Sequence, residues 1–424
     1  MDKDIIRIRR EQWLQHKQEK DHSQKRPYSS TGTLQSSLAS KSSSEEEHSQ
    51  SRKRAKKNSK PDSNQVIDLL SSDEDEEKVS ASSSDRSAII SSFSIVSYNL
   101  WFGPPHQKER MEYIAHHIIG NLEPKPVIIG FQEVTAYFQQ ILFPILESNY
   151  GYTAILSHSK DQEDREGIQY QCAIAVRTNS KNKNSIVGDI VDSGFLPYDN
   201  TIMNRGLLWA NVCLHRQDDP EGKDSSKYVL FSTTHLESFL KHAQYDGREQ
   251  RQDQILQASK FLTDYMSSWS LTLNTAIITG DLNWDDQRKR SKGLDETLLT
   301  VLSQTNNISD TKHDCDTTPC SQWKDAWLEA HPSLDGYTYD SKESPMLLGN
   351  LRRRFDRCLI QNASSASSLA VKDVDLIGKE AIPMIQWNKE MLDFRTGQPT
   401  GKVRTLPVVP SDHFGLHVTF QNQL

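Results

Sequence analysis

From about residue 92 onward, the chain alternates short apolar runs with amphipathic stretches. The runs at 93–96, 127–129, 228–231, 276–278 and 406–409 are rich in β-branched and aromatic residues. Runs of that length and composition read as buried strands. Between them, helical patterning falls near 107–120, 134–149, 244–269 and 294–304. The runs at 171–176 and 209–214 have hairpin-like or irregular connections instead. Pattern alone predicts an α/β domain.

Each of the five runs leads directly into a polar motif. In order these are Ser97-Tyr98-Asn99, Phe131-Gln132-Glu133, Thr234-His235-Leu236-Glu237-Ser238, Gly280-Asp281-Leu282-Asn283 and Ser411-Asp412-His413. Taken singly they are weak. A histidine after a strand is commonly structural, and Gly-Asp-x-Asn is commonly a turn, since Asp and Asn hydrogen-bond their own backbone there. As an ordered set they place carboxylates, carboxamides and imidazoles at one edge of a sheet. That composition suits hydrolysis of a phosphate ester with a metal ion.

The order Asn, Glu, His, Asp-x-Asn, Asp-His resembles the endonuclease/exonuclease/phosphatase superfamily over residues 92–424. Three stretches are similar to its 5′-tyrosyl-DNA phosphodiesterase family. These are Thr234 to Ser238 with His242-Ala243 and Arg248-x-x-Arg251-x-x-Gln254, then Arg354-Phe355-Asp356-Arg357, and Ser411-Asp412-His413-Phe414-Gly415-Leu416. The resemblance implies a four-layer α/β sandwich, with two packed mixed sheets flanked by helices. It implies hydrolysis of the 5′-phosphotyrosyl bond between DNA and trapped topoisomerase II. Abasic endonucleases, deadenylases and lipid phosphodiesterases of the same superfamily are alternatives, as is an inactive scaffold guided by SUMO.

The resemblance also distributes roles. Asp281 orients or deprotonates the attacking water, and Asn283 positions it. His413 and His235 stabilise charge on the phosphoryl oxygens, and Asn99 bonds a metal water or the phosphate. Glu133, with Asp412, is the expected ligand set for Mg²⁺ or Mn²⁺, hard ions that keep waters and need only one or two carboxylates. Asp356 either fixes the tautomer of His413 or forms a plain salt bridge with Arg354 or Arg357. Ser238 offers a hydroxyl to the phosphate. Arg205 holds a DNA phosphate or is a surface arginine. Tyr339 and Phe355 stack on the 5′ nucleotide or are core aromatics. On an extended segment Asp281 and Asn283 would point the same way. Two departures stand out: Trp101 where that family has Asp, and Asp285 where it has Arg. Trp284, Arg288, Lys289 and Arg290 are candidate replacements for the lost cation.

Composition divides the chain. With 424 residues and net charge −7, it exceeds one typical domain. Residues 21–91 are rich in Ser, Lys, Glu and Asp, which predicts a disordered arm; residues 1–20 pattern as a short helix. Within the arm, Arg52, Lys53, Arg54, Lys56 and Lys57 read as a nuclear localisation signal. Val66, Ile67, Leu69 and Leu70, followed by acids to Glu77, look like a SUMO-interacting motif that adds as a strand to a partner's sheet edge. The expected partners are therefore 5′-phosphotyrosyl DNA ends, topoisomerase II adducts and SUMO or SUMOylated proteins, in the nucleus. No membrane association is expected, because no run approaches the roughly 20 apolar residues of a span. Five cysteines without repeating spacing fit reduced thiols. His313, Cys315 and Cys320 lack a fourth ligand for zinc. Residues 305–335 show no clear pattern.

Overall fold

Continuous apolar runs require cover on both faces of a strand, and two sheets with two helical layers supply it. The computed structural model describes residues 90–422, apart from 159–168, 219–226, 240–245, 270–272, 288, 291–292, 295, 305–321, 348, 364–368 and 394–397. The N-terminal helix, the arm with its basic and SUMO-type motifs, and the His313, Cys315, Cys320 group lie outside the described residues.

The strands of the two large sheets are β1 Ser92–Asn99, β2 Ile128–Val134, β3 Tyr152–Leu156, β4 Gln171–Arg177, β5 Ile186–Pro197, β6 Gly206–Arg216, β7 Lys227–His235, β8 Leu273–Asp281, β9 Lys324–Asp325, β10 Asp356–Asn362 and β11 Leu369–Ile377. A hairpin, β12 Gln386–Leu392 and β13 Pro399–Pro407, precedes the last strand, β14 Gly415–Asn422. One six-stranded sheet runs β11-β14-β1-β2-β4-β3 and the other β9-β10-β8-β7-β6-β5. The pairs β1–β2 and β7–β8 are parallel, and the other pairs in these sheets are antiparallel. The helices are α1 Gln107–Tyr113, α2 Ala136–Tyr150, α3 Arg248–Ser268, α4 Leu298–Ser303 and α5 Ala326–Ala330.

Alternate residues of each central strand face opposite layers. Ile95, Ile128, Val229, Phe231 and Ile277 join the core between the sheets. Val96, Ile129 and Phe131 meet Met111, Ile114, Phe138 and Leu142 of the first helical layer. Leu230, Ala276 and Ile278 meet Ile255, Ala258 and Leu262 of the second. The four-layer sandwich is thus present. Thr135 caps α2, its hydroxyl accepting from Phe138 N at 3.1 Å, and Gly151 closes it in the left-handed conformation. No helix among the described residues is long and apolar enough to cross a membrane.

One predicted strand is corrected. The run at 406–409 is the last residues of β13 followed by a loop, and Asp412-His413 precede β14 rather than following a sheet strand. Leu406, Val408 and Val409 are buried. Val408 and Val409 pack in a satellite cluster with Trp101, Met346 and Ile382. Residues 322–335, patternless in sequence, also have a structure. Trp323 donates to Ser259 Oγ at 2.7 Å, and β9 and α5 close the edge of the second sheet.

Candidate active site

The parallel pairs β1–β2 and β7–β8 deliver their C-terminal ends to one place. Register sets His235, Asp281 and Asp356 in a single row, with His235 opposite Asp281 and Asp281 opposite Asp356. In the facing sheet Asn99 lies beside Gln132, one residue before Glu133. Gly280 makes the row possible. Its φ is 128°, and a Cβ there would sit 1.9 Å from the Thr234 carbonyl oxygen. Only glycine lets β8 approach that closely.

Asp281 is the hub. Asn99 Nδ2 donates to its Oδ2 at 3.1 Å, joining the two sheets. His235 Nε2 lies 3.3 Å and His413 Nε2 3.8 Å from the same oxygen. Burial raises the carboxyl to about 6, helped by Asp356 and Glu133 and opposed by His413 and a backbone hydrogen bond. The Asp-x-Asn segment is not extended, as expected from sequence, but turned. Asn283 is left-handed at φ 48°, and its N–H donates to Asp281 Oδ1 at 2.9 Å. The turn, rather than strand alternation, brings the Asn283 backbone onto the Asp281 carboxylate. Asn283 Nδ2 is committed to Leu236 O at 3.1 Å and Ser238 Oγ at 3.3 Å.

Behind His413, Nδ1 meets Asp356 Oδ2 at 2.7 Å. Arg354 and Arg357 turn away to Asp325 and Asp286 instead, so the salt-bridge reading of Asp356 is discarded. Burial alone would lower the imidazole, but Asp356 and then Asp281 outweigh it and hold it at about 10. His413 is a cation at neutral pH. Replacing Asp356 by Asn removes the largest raising charge. The His413 ring, followed by NMR against pH, is expected to titrate well below 10, and turnover to fall about 10- to 100-fold.

Glu133 is held in an unusual backbone state. It is left-handed at φ 59°, which costs a β-carbon residue about 1–2 kcal/mol. Its Oε2 accepts from Phe102 N at 3.1 Å, and Oε1 lies 4.0 Å from His235 Nδ1. Trp101 is also left-handed, at φ 53°, with its N–H on Asn99 Oδ1 at 3.0 Å. Its ring points away from the row into the satellite cluster, 6.2 Å from the Trp387 ring. Strained residues concentrated at one place mark a functional site.

One residue missed in the sequence is Arg110. It is fully buried, and its guanidinium donates to five carbonyls, those of Leu100, Trp101, Gly103, Pro105 and Pro410 at 2.5–3.3 Å. It also stacks on the Trp101 ring at 4.6 Å. One fork therefore ties the loop after β1 to the loop carrying Asp412 and His413. Burial lowers it to about 10, with Asp412 the largest opposing charge, so it stays protonated at neutral pH. The signal was present. Arg110 sits one turn before Ile114 on the face that also carries Met111 and Ile118, where a charge is out of place.

Aromatic walls flank the row. Tyr339 and Phe355, both buried, lie 5.1 and 6.3 Å from the His413 ring. Opposite, Phe102 stacks on Tyr170 at 4.8 Å. Arg205 is buried rather than a surface residue. Its guanidinium lies over Tyr170 at 5.2 Å and donates to Ser238 Oγ at 3.4 Å. Tyr170 was not singled out in sequence, where it reads as one more aromatic beside a strand. Glu237 points elsewhere, accepting from Thr201 Oγ1 and Gln254 Nε2, both at 2.9 Å. That explains the paired motifs: Gln254 and Arg251 of α3 clamp the segment that carries His235 and Ser238. Asp285 is engaged in an ion pair. It is 2.5 Å from Arg353 Nε and 6% exposed. Trp284 belongs to the helix-side core, which corrects its reading as a substitute contact. Arg288 and the side chains of Lys289 and Arg290 lie outside the described residues.

Among the described residues, no group of three His, Cys, Asp or Glu side chains converges as a metal cluster. No protein-family model and no curated protein matches the sequence. Among solved structures, truncated TDP2 of Caenorhabditis elegans is similar, at TM-score 0.48 and 21% identity over 78% of this chain and 97% of that one. So is TDP2 of D. rerio complexed with a single-strand DNA product, at 0.49 and 19% over 78% and 99%. The mannosyl-6-phosphatase Bt3783 of Bacteroides thetaiotaomicron is similar at 0.46 and 18% over 77% and 99%. Similarity at this level carries neither substrate nor reaction across to this chain.

Proposed function

We propose that this protein is a metal-dependent phosphodiesterase that hydrolyses the 5′-phosphotyrosyl bond of DNA linked to trapped topoisomerase II. The observation that carries this reading is the convergence of Asn99, His235 and His413 on the Asp281 carboxylate. A carboxyl raised to about 6 by burial suits a base working near neutral pH. Asp281 takes the proton of the attacking water. His413, charged and braced by Asp356, donates from Nε2 to a phosphoryl oxygen, and His235 does so from the other side. Tyrosine, with a pKa of about 10, leaves as phenolate with little need of a general acid.

The donor set fits a hard divalent ion. Glu133 and Asp412 offer carboxylate oxygens, and Mg²⁺ or Mn²⁺ takes one or two such ligands with waters rather than a three-residue cluster. When bound, the ion supplies positive charge to the phosphoryl oxygens. Tyr170 and Arg205 on one wall, and Tyr339 and Phe355 on the other, bound the space on each side of the phosphate. Nuclear placement and a SUMO partner belong to the same proposal and rest on residues 52–57 and 66–77.

The test is tyrosine release from 5′-phosphotyrosyl single-stranded DNA, in Mg²⁺ or EDTA, with 3′-phosphotyrosyl DNA, abasic duplex and poly(A) alongside. Only the 5′ adduct should turn over, and only with metal. The rate should fall as pH drops through about 6, where Asp281 takes up its proton. Turnover of another substrate alone would move the function within the superfamily; no turnover anywhere would favour the scaffold.

A further inference from the structure

The hairpin β12–β13 is joined to the site by the short loop that carries Asp412 and His413. At its base, His106 Nε2 donates to Gln386 O at 3.0 Å. Its other foot continues through buried Val408 and Val409 to Asp412, three residues on. Trp387 opposite Leu406, and Lys389 opposite Arg404, are cross-strand pairs. Side chains alternate along a strand, so all four share one face. Leu406 is buried, and Trp387 packs against the satellite cluster that holds Trp101. The same face then continues outward as cations. Lys389 Nζ lies over the Trp387 ring at 4.6 Å and Arg404 opposite it is exposed; Lys402, also exposed, follows at the irregularity where the ladder's register shifts. Neither Lys402 nor Arg404 has an ionic partner among the described residues. Exposed cations without an ionic partner gain attraction from the phosphates of a polyanion laid along them.

Resting on the function proposed above, we infer that this face of the hairpin binds the phosphate backbone of single-stranded DNA whose 5′ end occupies the Asp281 site. Charge complementarity and continuity with the Asp412 loop point to it. The contact is non-specific in sequence, since the cations meet phosphates and not base edges.

The full chain is tested by fluorescence anisotropy on a 5′-phosphorylated single strand in EDTA, across a salt series. A double charge reversal, Lys402→Glu with Arg404→Glu, is expected to weaken binding about tenfold. It should also flatten the log–log salt slope by roughly 1.4, the release from two phosphates of a single strand. The pair Lys402→Arg with Arg404→Lys keeps both values. Turnover of a thymidine 5′-aryl phosphodiester, too short to reach the hairpin, is unchanged in either variant. Unaltered affinity and slope in the reversed pair would overturn the inference. So would lost binding to anionic phosphatidylserine vesicles with DNA binding intact, which would assign the face to a membrane surface. Wild type that shows the strand-binding pattern but releases no tyrosine refutes the proposed reaction and leaves the hairpin contact standing.

Discussion

Asp281→Asn is expected to reduce tyrosine release by about 10²- to 10⁴-fold, the scale of losing a positioned base, without loosening the fold. Asparagine keeps an acceptor for the Asn283 N–H, so the turn survives. The stability sign follows from burial. In the folded chain the carboxyl stands at about 6, above the 3.8 of an exposed aspartate. Its burial therefore costs stability above pH 6, and that cost disappears as pH falls through 6 towards 3.8. Removing the charge should leave the melting temperature at neutral pH unchanged or raised. A variant that lost both activity and thermal stability would show Asp281 to be a structural link between the sheets and not the base.

Arg110→Met is expected to give the largest stability loss away from the sheets. Five carbonyls now receive the guanidinium, and a thioether satisfies none of them. Each buried acceptor left unmade costs about 1–3 kcal/mol, less what water recovers. A net loss of roughly 3–5 kcal/mol is a large part of a typical domain's 5–15 kcal/mol, and in a domain of this size it lowers the melting temperature by about 5 °C. Arg110→Lys retains the charge but not the planar fork, and should fall between wild type and Arg110→Met. The loss should appear in hydrogen exchange first at 100–103 and 410–413, the segments that the fork joins. Uniform exchange across the chain would mean that Arg110 supports helix α1 and not the loops.

Much of the site was legible because its residues end buried strands. In β1, β2, β7 and β8 the apolar run and the polar motif are one continuous element, so local pattern located Asn99, Glu133, His235 and Asp281 together. Asp412-His413 was located for the wrong structural reason. Its apolar lead-in packs on Trp101 and belongs to a hairpin and loop, and a β-branched run does not reveal whether its partner is a sheet or a cluster. The two departures looked like losses of function in one dimension. In three, Trp101 turns out of the site to anchor the hairpin and Asp285 pairs with Arg353, because each side chain found a partner distant in sequence.

The sequence by itself determined which chemical groups this protein can bring to bear, and through strand periodicity that most of them lie at strand ends. Only the tertiary structure decided which of them meet. Register put His235, Asp281 and Asp356 in a row, a turn brought Asn283 back to Asp281, and a buried arginine clamped the loops. It also decided protonation, since the carboxyl of Asp281 and the imidazole of His413 take their values from burial and from charges as distant along the chain as Glu133 is from Asp281. Long-range packing and electrostatics depend on distances in space, and chain spacing does not encode those distances.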